Sequence, residues 1–413
     1  MARKFSGLLV GAGLLIVLGI LVFKLFEPVF VWNLGWRALP EGPYPVSSEA
    51  TPGAQDLGEA ADAWLASARA ALDAPSLSAA VSVDGVTMWA GAAGYADLDK
   101  RLEATPETAF RIGSTSKAVT SVAMGTLIDK GAVDLDAPVA HYLPGLAAPL
   151  ATVTTRQAMS HTAGVRNYGA CLCFPVWEHL NRKHYDGAQV ETLRGFASSP
   201  LLFEPGTGFA YTSLGYNAAG AVIEAASDAP FADYLEKTLF EPLGMARSFA
   251  ETGADIPNQA AFYEVERGRY KQAFRVDNSN KLPSGGLVST PSDLMALGGQ
   301  MIAPTLFGAA TRDLLMTPQQ LADGSDNPQG YALGWRYNPE AEYAGGMKTS
   351  RLSHHGTAQG STSYFAVLPE KRMVVSVMMN KGATGVEALG AEAEKLTLLF
   401  ASQGGDEEAA GTQ

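Results

Sequence analysis

Apolar positions follow three rhythms along the chain. The first is nearly unbroken: between Phe5 and Phe23, Ser6 is the one polar side chain in 19 residues. At 1.5 Å per residue such a helix reaches roughly 28 Å, about the hydrocarbon thickness of a bilayer. The second is helical and predicts a helix from Leu57 to Leu72 and another from about Val386 to Ala401. The third is the short, β-rich run. Leu77–Val83 and Val86–Gly91 flank Asp84-Gly85, a strong hairpin-turn pair. A second hairpin joins 362–368 to 372–380 through Pro369-Glu370-Lys371. Between the hairpins the chain reads as helices and loops punctuated by Gly and Pro. Strands at both ends with helices between them predict an α/β (α+β) fold: an antiparallel sheet completed by both termini, flanked by N- and C-terminal helices, with a helical subdomain.

The apolar N-terminal run follows Arg3 and Lys4 and precedes KLFEPVFVWNLGW, which holds no small-residue cleavage site. Residues 1–26 therefore read as a transmembrane signal anchor rather than a cleaved signal, with Trp32 and Trp36 suited to the membrane interface. The positive flank places the N-terminus inside and the bulk of the chain outside; in a bacterium this is a single-pass protein of the inner (cell) membrane with a periplasmic domain. Residues 27–59 hold Pro28, Pro40, Pro43, Pro45 and Pro52 and read as a Pro-rich linker. Residues 60–401 form one domain, and 402–413, polar and acidic, a disordered tail. A net charge of −12 without a basic cluster argues against nucleic acid as a partner. Cys171 and Cys173, one residue apart, read as two unpaired thiols.

Chemistry concentrates first in Gly113-Ser114-Thr115-Ser116-Lys117. Gly113 permits a tight turn, a helix is predicted from Thr115 to Lys130, and Gly131 caps it. Ser114 and Lys117 then lie on one face, three residues apart. A buried lysine loses its proton more readily and can take the proton of a serine hydroxyl. Thr115 and Ser116 face elsewhere. A bare Ser-x-x-Lys is weak evidence, since it arises about as often by chance.

Two further stretches give it weight: Tyr211-Thr212-Ser213 in LLFEPGTGFAYTSLGYN, and His354-His355-Gly356 just before the last hairpin. The ordered triple resembles the serine β-lactamase and penicillin-binding protein superfamily, most nearly the class C β-lactamase relatives and their mitochondrial serine β-lactamase-like branch. VTTRQAMSHTAGVRNY, LPSGGLVSTPSDLMALG and YALGWRYN extend the likeness over about 60–401. The resemblance implies a β-lactamase/transpeptidase-like fold, with Ser114 as nucleophile, Lys117 as its proton acceptor and Tyr211 as proton relay. Ser213, His354, Gly356 and Thr357 are implied at the substrate and oxyanion side, with the backbone N–H groups of Ser114 and Thr357 forming the oxyanion hole and Gly356 admitting substrate backbone.

Two positions depart from the superfamily pattern. Ser213 stands where many members carry Asn, and His354 replaces the commoner Lys, a weaker anchor for a substrate carboxylate. Arg351 and Lys348 are alternative cations. His355 points to the opposite strand face, His161 is structural, and Arg111 supports the nucleophile turn. The stretch Gly169–Gly187 is an insertion, either a lid or a membrane- or partner-facing loop.

No Gly-x-Ser-x-Gly elbow, His-Glu-x-x-His pair or phosphate loop occurs, so no metal and no cofactor is expected. The implied function is a membrane-anchored serine hydrolase forming an acyl-enzyme on ester or amide substrates, of peptidase or esterase type. A β-lactamase or D,D-carboxypeptidase acting on cell-wall peptides is the alternative, and a non-catalytic scaffold using the same cleft a third reading. The implied partners are a small-molecule or peptide substrate, peptidoglycan-derived in one reading, and the membrane; self-association is left open.

Overall fold

The computed structural model describes residues 2–171, 173–186, 189–382 and 385–401, with side chains from Gly11 onward. The expected tail beyond Ala401 lies outside the described residues, as do Leu172 and Gly187 of the insertion.

The first helix, α1 (Ala2–Phe30), is kinked at Phe26, two residues before Pro28, whose ring lacks the N–H a helix interior needs. Its Gly11–Phe30 portion is strongly apolar, none of its most apolar window is buried, and it is long enough to cross a bilayer. After it come β1 (Arg37–Ala38), β2 (Val46–Ala50), α2 (Gln55–Ala71), β3 (Ser76–Val83) and β4 (Val86–Asp97). The nucleophile helix α3 is Ser116–Asp129, and α4 is Ser213–Ser227. The hairpin β5 (Tyr263–Glu266) and β6 (Arg269–Gln272) precedes the short α5 (Leu282–Gly285). The chain ends with β7 (Arg336–Glu342), β8 (Lys348–Ala358), β9 (Ser361–Leu368), β10 (Met373–Met379) and α6 (Val386–Ala401).

The main sheet runs β7-β8-β9-β10-β3-β4-β2, antiparallel throughout. Both chain ends meet at its centre, where Ala79 of β3 opposes Val377 of β10. Strand alternation sorts the two faces. Ala79, Val81, Val375 and Val377 pack with Leu65 and Ala68 of α2 and with Leu389, Ala393 and Leu396 of α6. Ala80, Val374 and Met378 face the larger core shared with α3 and α4. Helix α3 is buried from Ser116 through Leu127, so it is a central rod rather than an amphipathic cover.

Two regions differ from expectation. Residues 27–59 do not run free: β2 adds an edge strand to the main sheet and β1 pairs with β6, because Val46–Ala50 offers unobstructed backbone beyond the last proline before it. Cys171 and Cys173 are joined as a disulfide rather than left as two unpaired thiols.

Candidate active site

Ser114 sits in a single 3₁₀ turn, Gly113–Thr115, that leads into α3. The turn is locked against β8. Gly113 has φ +50°, and a Cβ there would lie 2.6 Å from the Thr357 carbonyl carbon. Across the contact, a Cβ on Gly356 would lie only 1.8 Å from the Ile112 carbonyl oxygen. Glycine at 356 is therefore required by the nucleophile turn itself. Strand β7 pairs with β8 no further than Ser353, which leaves the 354–358 edge open to receive this turn.

Lys117 is fully buried. Its Nζ lies 3.1 Å from Ser114 Oγ, 3.2 Å from Ser213 Oγ and 2.8 Å from the Ser284 carbonyl oxygen. Burial, reinforced by the charge of Arg336, holds its amine well below the usual lysine range. Ser213 is the first residue of α4, whose cap Thr212 accepts from the Leu214 N–H; this places the Ser213 hydroxyl beside the lysine. Thr115 and Ser116 turn away: Thr115 Oγ1 meets Ser363 Oγ at 2.9 Å, and Ser116 Oγ accepts the Leu287 N–H.

The Tyr211 ring centroid lies 4.9 Å from Lys117 Nζ and 5.3 Å from the Arg336 guanidinium. Burial outweighs Arg336 and the hydrogen bond with Ser114, and pushes the phenol up to about 12. Tyr168, just before the insertion, is a second phenol pushed up to about 12 by burial, against the lowering influence of the Ser284 and Ser213 hydroxyls.

His354 is placed differently from expectation. It has no solvent exposure; Nε2 pairs with Tyr331 Oη at 2.9 Å and Nδ1 with the His355 carbonyl at 2.8 Å. Burial and the charges of Arg336 and Lys117 keep it neutral, so neither ring nitrogen is left for a substrate carboxylate. Arg351 is engaged with Glu394 and Lys348 with Glu342. The cation nearest the site is Arg336, half-buried and donating to the Gln329 amide rather than to a carboxylate. His161 is buried among Tyr211, Tyr216 and Tyr331, accepting the Thr212 N–H, while His355 packs edge-on against Tyr364. Arg111 is paired with Glu251 and donates to the Gln359 carbonyl. Among the described residues no group of three or more metal-ligating side chains occurs.

Sequence reasoning did not single out Ser284, Tyr168 or Arg336, although each lies in a stretch that carried the resemblance (LPSGG, GVRNY and YALGWRYN).

A sheet closed by both chain ends, a helical second layer and a serine facing a buried lysine define a class: serine hydrolases of the β-lactamase and penicillin-binding protein type. The Beta-lactamase family model matches residues 61–399, and the chain belongs to that family. It is 28% identical to the mitochondrial serine beta-lactamase-like protein LACTB of Homo sapiens over 79% of this chain and 76% of that protein. Penicillin-binding protein 4* of Bacillus subtilis is 24% identical over 70% of this chain and 64% of its own length. Among solved structures, the D-amino acid amidase of Ochrobactrum anthropi superposes with a TM-score of 0.71 at 21% identity, covering 84% of this chain and 99% of the amidase.

Proposed function

We propose that the chain is a membrane-anchored hydrolase that cleaves esters or amides through an acyl-enzyme at Ser114. The observation that carries this is the buried Lys117 amine 3.1 Å from Ser114 Oγ. A neutral amine has two N–H bonds and one lone pair. The N–H bonds are used by the Ser284 carbonyl and Ser213 hydroxyl, which leaves the lone pair for the Ser114 O–H. Ser114 attacks the acyl carbon as its proton passes to Lys117. Tyr211, protonated at neutral pH, hands a proton to the departing alcohol or amine and is recharged from Lys117. Water then adds to the acyl-enzyme and releases the acid and free Ser114. The adjoining backbones of Gly113–Ser114 and Thr357 support the oxyanion assignment to the Ser114 and Thr357 N–H groups.

The burial of His354 favours ester or peptide substrates over β-lactams, which carry a carboxylate that a cation would have to hold. A D,D-carboxypeptidase would meet the same lack at His354. Localisation to an inner membrane, with the domain periplasmic, is supported by the uncovered apolar helix and the Arg3 and Lys4 flank.

The full-length protein, treated with a fluorophosphonate, is expected to gain one adduct on the peptide containing Ser114, and to turn over p-nitrophenyl esters faster than nitrocefin. An unmodified Ser114 peptide would overturn the acyl-enzyme reading; faster nitrocefin turnover would overturn the substrate ranking. A second expectation concerns pH. Arg336 lowers both Lys117 and Tyr211. Arg336→Gln should therefore raise both, and the entire kcat/KM profile should move to higher pH, losing rate on the acid side first. A pH–rate series with a soluble ester checks this; a shift to lower pH would contradict it.

A further inference from the structure

The insertion meets the anchor helix below its end. The Val176 N–H donates to the Leu25 carbonyl, one residue before the kink at Phe26, and Trp177 packs edge-on to Phe26. The contact falls between Lys24 and Glu27, directly after the apolar run that ends at Phe23, and so at the interface end of the anchor. Arg182 pairs with Glu27 on the same side. Phe174, two residues before Val176, is 51% exposed. An exposed aromatic near the interface end of an anchor suits the boundary between headgroups and acyl chains, and Val176 supplies a protein partner to the carbonyl beside the kink.

The insertion also packs toward the active-site side of the domain. The Tyr168 ring, immediately before it, lies 5.9 Å from Lys281 Nζ, and Lys281 Nζ donates to the His179 carbonyl one residue before α5. Between anchor and domain lies a cavity of about 1070 Å³, large enough for a polar headgroup of drug size. Trp32, Trp36, His179, Arg182, Lys271 and Gln359 are among the residues that line it. The Gln359 carbonyl accepts from Arg111, three residues before Ser114, and Gln359 lies two residues beyond Thr357.

We propose that this is an interfacial entrance: the substrate is an amphiphilic ester or amide whose apolar chain stays in the bilayer beside 173–177 while its polar end reaches Ser114 past the cavity. The inference rests on the acyl-enzyme and anchored readings above and names the substrate class they leave open. Ser114 takes the acyl group, the alcohol or amine leaves with a proton, and water releases the acid, so no further reactant is required.

The test uses the full-length chain in phosphatidylcholine vesicles with two esters of one leaving group, water-soluble p-nitrophenyl acetate and bilayer-partitioned p-nitrophenyl laurate. Phe174→Asp, at an exposed position, should leave acetate turnover within about twofold and lower laurate turnover at least tenfold; Phe174→Leu should restore it. Equal loss for both esters, or no change in their ratio, overturns the inference. Flotation of carbonate-washed vesicles and fluorophosphonate labelling of the wild type report on the two underlying readings. A chain that floats and labels, yet shows an unchanged ratio, overturns the entrance alone; a chain that fails to float or to label overturns the reading it reports on and the entrance with it.

Discussion

Ser114→Ala is expected to abolish fluorophosphonate labelling and to reduce ester turnover by roughly 10⁴-fold or more, the scale seen when a covalent nucleophile is removed. The structure explains why no neighbour would substitute. Thr115 and Ser116, the other hydroxyls of the same stretch, are buried and bonded to Ser363 and the Leu287 N–H on other faces of the turn. Ser213 touches Lys117 but sits at the start of α4, across the amine from the Gly113–Thr357 contact where the oxyanion donors are proposed. The fold should be retained, since alanine fills the same turn without a clash. Burst and steady-state kinetics with a p-nitrophenyl ester measure the effect; turnover within tenfold of wild type would remove Ser114 from the chemistry.

The second large effect is structural. Gly356→Ala would set a methyl 1.8 Å from the Ile112 carbonyl oxygen and 2.4 Å from Ser363 Oγ, in a strand paired with β9 and pressed by backbone. Neither neighbour is the free end of a flexible side chain, so the nucleophile turn must separate from β8. Overpacking in cores costs about 1–3 kcal/mol and occasionally more; with backbone on one side of the clash, the cost should reach the upper end. Loss of activity should accompany the fall in Tm, because the displaced turn carries Ser114. Full activity and an unchanged Tm would show that the turn does not depend on this contact.

How much of this was readable in the residues depends on distance along the chain. The pairing of Ser114 with Lys117 follows from helical periodicity three residues apart, and the terminal strands from alternation. The gathering of Tyr211 and Ser213 rested on resemblance alone. His354 was misjudged because strand alternation tells which face a side chain takes, not how deeply that face is covered; Tyr331, 23 residues earlier, closes over it. Arg336 and Ser284 escaped notice for a related reason: one acts as a charge through space and the other through its backbone carbonyl, which carries no residue-type signature. Proline content marked 27–59 as a tether, whereas five residues within it suffice for an edge strand. The insertion had two open readings, and the contact of Val176 with Leu25 supports the membrane-facing one.

The meeting of β3 with β10 bears on how the molecule is made. The partners Ala79 and Val377 are separated by on the order of 300 residues. At synthesis rates of about 5–20 residues per second, β3 waits roughly 15 to 60 s for the strand that completes it. Until Met373–Met379 emerges, the first hairpin offers an apolar edge to any passing strand, and α3 has no finished sheet to bury against. A ribosome-bound chain of this protein therefore carries its nucleophile long before it has an active site, and that interval is when chaperones and proteases have access to it.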